Sequence, residues 1–189
     1  MSHAAGEAGR EAGGEAAGEV VREASPEEIE ALVPVLVLAE PSMSALRWSL
    51  ENLSDAVYGL WDASGRAVGA ATMRWRDDPC ELVELGVAED RQGEGIGRRL
   101  VAWLLEEARR RSRSAMIVGT ANASLGNIAF YQKCGFRMDH VRRDYFWYHR
   151  TPVVEHGIPV RDMLVFRYDL VESPVRVGQA STRGRRGGR

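Results

Sequence analysis

Residues 81–100 read ELVELGVAEDRQGEGIGRRL. The first seven residues make an apolar strand. A short charged turn follows, then Gly93, Gly95 and Gly97 alternating with Glu94 and Ile96, then a basic helix. Glycine belongs where a backbone takes positive φ or approaches a ligand closely. A helix start presents unpaired N–H groups and the positive end of its peptide dipoles, so an anion finds a seat there. Because the strand runs directly into the loop, a molecule anchored at the loop can extend along the strand. The pattern describes a place to hold a phosphorylated carrier.

Two other phosphate loops are excluded. Gly-Lys-Ser/Thr is absent, so a P-loop would lack both its lysine and its magnesium hydroxyl. The third glycine arrives one residue early for the dinucleotide fingerprint.

Outward from this stretch, helix and strand patterns alternate. Residues 20–24 read as a strand. Ser25 is an N-cap with Pro26 at the first helical position and Glu28 three residues after the cap. That helix is expected to reach about residue 38, kinked or broken at Pro34. A second helix is expected over 42–53. Strands follow at 57–61 and 67–75, joined by the Ala63-Ser64-Gly65 turn. After the strand at 81–87 comes a helix at 97–111 with an apolar face of Leu100, Val101, Leu104, Leu105 and Ala108. A buried strand at 115–120, a short helix at 125–134 stopped by Gly135, and strands at 136–141 and 163–170 complete the pattern. The fold class is α/β or α+β around a mixed sheet.

The 189 residues suit one domain, here 20–171, and the formal charge of −2 gives no global case for a nucleic-acid partner. Cys80 and Cys134 make neither a disulfide framework nor a zinc site, and a reducing cytoplasm fits them. No apolar run approaches the roughly 20 residues of a membrane span. Residues 1–19, rich in Gly, Ala and Glu, and 172–189, with Arg183, Arg185, Arg186 and Arg189 among glycines, are expected to be disordered tails. The basic tail has an RNA-touching reading and a plain solvated one. The absence of interleaved aromatics favours the second.

With its flanks included, the glycine loop resembles the GNAT N-acetyltransferase superfamily. Gln92-Gly93-Glu94-Gly95-Ile96-Gly97 matches every fixed position of the family's Gln/Arg-x-x-Gly-x-Gly/Ala motif, and Leu85-Gly86-Val87 matches the Leu-x-Val before it. Phe130-Tyr131-Gln132-Lys133-Cys134-Gly135-Phe136 matches a second motif, Phe-Tyr-x-Lys-x-Gly-Phe. The resemblance spans residues 20–170. It implies a mixed, mostly antiparallel sheet of about seven strands flanked by helices. It also implies acetyl transfer from acetyl-CoA to an amine in a ternary complex, without a metal. The pyrophosphate would meet N–H groups from Gln92 to Arg98, and the pantetheine would pair with Leu85, Gly86 and Val87 like an added strand.

The resemblance also assigns chemistry. Tyr131 matches the tyrosine that protonates the departing thiolate in many relatives. Glu81 stands eleven residues before Gln92, the offset of the catalytic glutamate in histone-acetylating relatives, and is the favoured base. Glu84 is the alternative; strict alternation puts it on the opposite strand face, so only one of the two should meet the acceptor. Asn122 or Ser124, near the place of the motif's usual asparagine, bonds the pantetheine or caps a helix. Arg142-Arg143-Asp144-Tyr145-Phe146 is similar to a segment of ribosomal-protein N-terminal acetyltransferases, but the position of their glutamate falls at Gly119. An acyl-CoA-binding module without turnover is the reading from another class.

Cys134 has no evident base to make it a nucleophile. His140, His149 and His156 have no metal-site spacing. The segment from Tyr145 to Asp162 replaces a short hairpin. Its aromatics have two open readings, recognition of a cationic amine or a homodimer interface.

Overall fold

The computed structural model describes residues 18–40, 42–147 and 152–171. His149 and nearly all of both expected tails lie outside them.

Seven strands form one sheet in the order β1-β2-β3-β4-β5-β9-β6. These are β1 Val20–Glu23, β2 Ala56–Trp61, β3 Ala67–Arg74, β4 Cys80–Val87, β5 Ala115–Ala121, β6 Arg137–Arg142 and β9 Met163–Asp169. Every neighbouring pair is antiparallel except β4 and β5. The helices are α1 Ile29–Leu36, α2 Met43–Asn52, α3 Ile96–Arg110 and α4 Leu125–Lys133. Alternation along β2 and β3 feeds two cores. Tyr58, Ala71 and Met73 pack with Val101 and Leu104 of α3, while Val57 and Ala70 pack with Leu32 and Leu36 of α1.

The expected elements are present, with informative differences. α1 passes through Pro34 rather than breaking there, and ends two residues later. Proline has no N–H to give the carbonyl four residues back, so the helix forgoes one hydrogen bond there and stops within the next turn. Glu19, expected as the last tail residue, is only 11% exposed and receives Arg91 at 3.0 Å and an ion pair from Arg99. The segment read as replacing a hairpin contains a small one of its own. Val154–Glu155 (β7) pairs with Ile158–Pro159 (β8) around His156 and Gly157, both at positive φ.

Two irregularities in β4 prepare the site. First, its ladder with β5 joins only Cys80, Glu81 and Leu82 to Met116, Ile117 and Val118. Beyond Leu82 the strands diverge, and the β5-facing edge of β4 is unpaired through Val87. Second, Thr72 pairs with Glu84 but Met73 pairs with Leu82, so Val83 is an extra residue in a β-bulge.

α1 crosses β4 at Gly86. A Cβ there would lie 2.1 Å from the Val35 carbonyl oxygen, a backbone atom that cannot step aside. Gly86→Ala is therefore expected to destabilise the fold by about 1–3 kcal/mol or more. Urea unfolding measures this, and a wild-type midpoint would contradict the packing argument.

Candidate active site

A cleft of about 1970 Å³ opens where β4 and β5 part. Ordinary small-molecule pockets hold roughly 300–1,000 Å³, so this one has room for a long carrier and a second substrate. Its walls are the α1–α2 connection, the free edge of β4, the glycine loop, α4 and the segment after β6.

At one end, Gly93 and Gly95 take φ of 84° and 82°, and Gly95 is the N-cap of α3. Side chains there would be strained, and the left-handed turn aims the first N–H groups of α3 outward. Gln92 Nε2 donates to the Val87 carbonyl at 3.2 Å, tying the loop to the strand. A Cβ on Gly97 would meet Phe130 at 3.3 Å and Val87 at 3.5 Å, so glycine seats the first turn of α3 against α4 and β4. Ile96 is buried, and Arg98 lines the cleft. The Glu94 side chain pairs instead with Arg91 at 2.7 Å, and Glu94 is not part of the cleft lining.

The bulge corrects the alternation expected from sequence. With Val83 inserted, Glu81 and Glu84 both line the cleft. Their surroundings differ. Glu81 forms an ion pair with Arg74 and has Arg142 Nη1 at 3.6 Å. Glu84 has no arginine partner among the described residues. Its Oε1 accepts from Ser49 Oγ at 3.2 Å, and its backbone N–H donates to Thr72 Oγ1 at 3.1 Å beside the bulge. Burial, and then the nearby charge of Glu40, push its carboxyl up to about 7, against the opposing Ser49 hydrogen bond.

Tyr131 lines the cleft from α4, with its ring packed among Phe130, Phe136 and Phe166 at centroid distances of 5.2, 5.9 and 6.2 Å. Burial raises the phenol above its ordinary range, and the fields of Glu84 and Cys134 raise it further. It stays protonated at any ordinary pH.

Asn122 departs from the expected role. Its Nδ2 donates to the Pro159 carbonyl at 3.0 Å, and its Oδ1 accepts from the N–H groups of Arg161 and Asp162 at 2.9 and 3.0 Å. That amide holds the loop before β9 and is not part of the cleft lining, so the expectation that it bonds the pantetheine is corrected. Ser124 does line the cleft. It is the N-cap residue of α4 but makes no side-chain cap; its Oγ donates to Glu155 at 2.8 Å and fixes the β7–β8 hairpin. Asn127, one turn before Tyr131, lines the cleft as well.

Burial raises the Cys134 thiol, opposed by Arg98, and no base adjoins it among the described residues. His140 bonds Asp139 at 2.7 Å and His156 the Ala123 carbonyl at 3.2 Å, in separate places. At Gly119 a Cβ would meet the Met163 sulfur at 2.4 Å, so that side chain fills the position of the ribosomal-type glutamate. Ser49 and Thr72 gave no sequence signal of a role at this site, and Arg142 stood out only within the Arg142-Arg143-Asp144-Tyr145-Phe146 resemblance; α2, β3 and β6 bring them there.

Residues 24–136 match the model of the acetyltransferase (GNAT) family. An uncharacterised N-acetyltransferase of Bacillus subtilis, YvbK, is 32% identical over 149 residues, 78% of this chain and 95% of that protein. Among solved structures, a GNAT family acetyltransferase of Elizabethkingia anophelis with acetyl-CoA bound is 25% identical, with a TM-score of 0.70 over 81% of this chain and 99% of that one. A Bacillus subtilis acetyltransferase in complex with CoA is 30% identical, with a TM-score of 0.69 over 82% and 99%.

Proposed function

The chain belongs to the GNAT acetyltransferase family, and from that premise we propose that it moves the acetyl group of acetyl-CoA to a primary amine by direct attack in a ternary complex. Of the structures just compared, one holds acetyl-CoA and the other CoA. The residues fit such a carrier. A left-handed glycine turn at a helix start suits a pyrophosphate, Arg98 adds charge, and the unpaired edge of β4 offers Leu85, Gly86 and Val87 to an amide-bearing arm.

One observation carries the assignment of roles. A carboxyl raised to about 7 and a protonated buried phenol, Glu84 and Tyr131, share the cleft where that edge becomes free. Two groups whose surroundings suit them to opposite proton transfers make an acid–base pair. Glu84 takes the ammonium proton, so the neutral amine attacks the thioester carbon. The tetrahedral adduct collapses: the C–S bond breaks, the sulfur takes the Tyr131 proton, and the proton still carried by the adduct's nitrogen returns to the phenolate, leaving a neutral amide. Glu81, favoured by motif offset, is occupied by arginine and is better placed to organise the acceptor end.

The test is CoA release from acetyl-CoA over a panel of amines. Amine-dependent release with intersecting two-substrate kinetics is expected. Binding of acetyl-CoA without any amine-dependent release would favour a regulatory module instead. Parallel lines would mean an acyl-enzyme.

A further inference from the structure

The acceptor end of the cleft carries cations around Glu81. Arg74 of β3 and Arg142 of β6, strands on either flank of β4, both reach Glu81, and Arg74 makes the tight ion pair. At 3.6 Å, Arg142 is beyond hydrogen-bond distance of Glu81. Among the described residues its guanidinium also contacts the Met163 sulfur at 3.9 Å, a weak acceptor. The Arg142 side chain is 33% exposed, so water reaches only part of it. Arg143 lines the same cleft, exposed, and makes no ion pair among the described residues. Tyr145 feels the fields of Arg142, Glu81, Glu84 and Arg74 together, which places the arginine and the base around one space. Arg74 is shared between Glu81 and Asp77, so Arg142 and Arg143 are the guanidinium groups of this end left without a hydrogen-bonded carboxylate among the described residues. A planar guanidinium fork is the natural partner of a carboxylate.

We infer that the acceptor is an amine that also carries a carboxylate, an amino acid, with its carboxylate on Arg142, Arg143 at the mouth, and its amine turned toward Glu84. The inference rests on the reading of Glu84 as the amine-side base. Trp48 and Phe146 on the same walls suit an apolar or aromatic side chain.

The test uses the full chain with matched acceptors: phenylalanine against phenethylamine and phenylalaninamide, and leucine against isopentylamine and leucinamide. CoA release should favour the amino acids about 10- to 100-fold in kcat/KM, the scale of one charge-assisted hydrogen-bonded contact. Arg142→Met should raise KM for the amino acid and collapse that preference. Arg142→Lys, which keeps the charge without the fork, should give an intermediate preference. The Kd of acetyl-CoA serves as the fold control. Equal or better turnover of the plain amines and amides, or a preference untouched by Arg142→Met, overturns the inference and leaves the acetyltransferase reading standing. No release with either series despite acetyl-CoA binding overturns the parent reading and the inference with it.

Discussion

Glu84→Gln should lower kcat/KM by about 10²- to 10³-fold, the range of a general base removed, and should abolish the rise of rate with pH near neutrality. The sign follows from the surroundings of the carboxyl. Burial and Glu40 raise it from 4.5 to about 7, so wild-type activity climbs as pH rises through 7 and then levels. The same shift affects stability. Between the ordinary and the raised value, the native state holds a proton that the unfolded chain has already lost. Stability therefore falls as pH rises through that window, by up to about 3 kcal/mol once both states are ionised. Glutamine keeps an oxygen for Ser49 and removes this penalty. The variant should be nearly inactive yet more stable than wild type at about pH 8, with little difference at about pH 4.5. Urea midpoints at the two pH values, read beside pH–rate profiles, check both halves. Retained activity with an unchanged profile would remove Glu84 from the mechanism. Glu81→Gln separates the two carboxylates. It disturbs Arg74 and Arg142, so it should change acceptor KM while the acid limb persists.

The exchange of emphasis between Glu81 and Glu84 marks where sequence reading stops. Elements set by local signals were legible: the Ser25-Pro26-Glu28 start, the apolar stripe of α3, and Gly135 after α4. So were the positive-φ glycines of the loop and the strand in front of it. The bulge at Val83 was not, because nothing in Glu-Leu-Val-Glu-Leu announces an extra residue. One inserted residue moves every later side chain to the other face. The carboxylates' environments were hidden for a related reason. Arg74, Arg142 and Ser49 come from three other elements, and their meeting at β4 is a product of sheet order and helix packing. Asn122 shows the converse error. Its place near a motif asparagine suggested a ligand contact, while the loop before β9 supplied three better partners.

Tyr131→Phe should reduce kcat by about 100-fold at neutral pH, the lower end of what a general acid supplies. A thiol with a pKa of about 8.5 is already a fair leaving group, so the loss should be smaller than for an amine or alkoxide leaving group. The substitution removes one oxygen and keeps the ring against Phe130, Phe136 and Phe166, so the fold and the Kd of acetyl-CoA should change little. That split between kcat and donor binding distinguishes a proton donor from a packing residue. A packing role would show as a lower unfolding midpoint with turnover intact. Cys134→Ala supplies the matching control. Its thiol is held protonated by burial and has no base, so the variant should keep intersecting two-substrate kinetics and near-normal kcat. Full activity in Tyr131→Phe together with collapse in Cys134→Ala would replace direct transfer by an acyl-enzyme route. Loss in the tyrosine variant alone places the departing thiolate beside Tyr131 and fixes the direction of the reaction along the cleft, from the glycine loop, past the free edge of β4, to Glu84 and the arginines beyond.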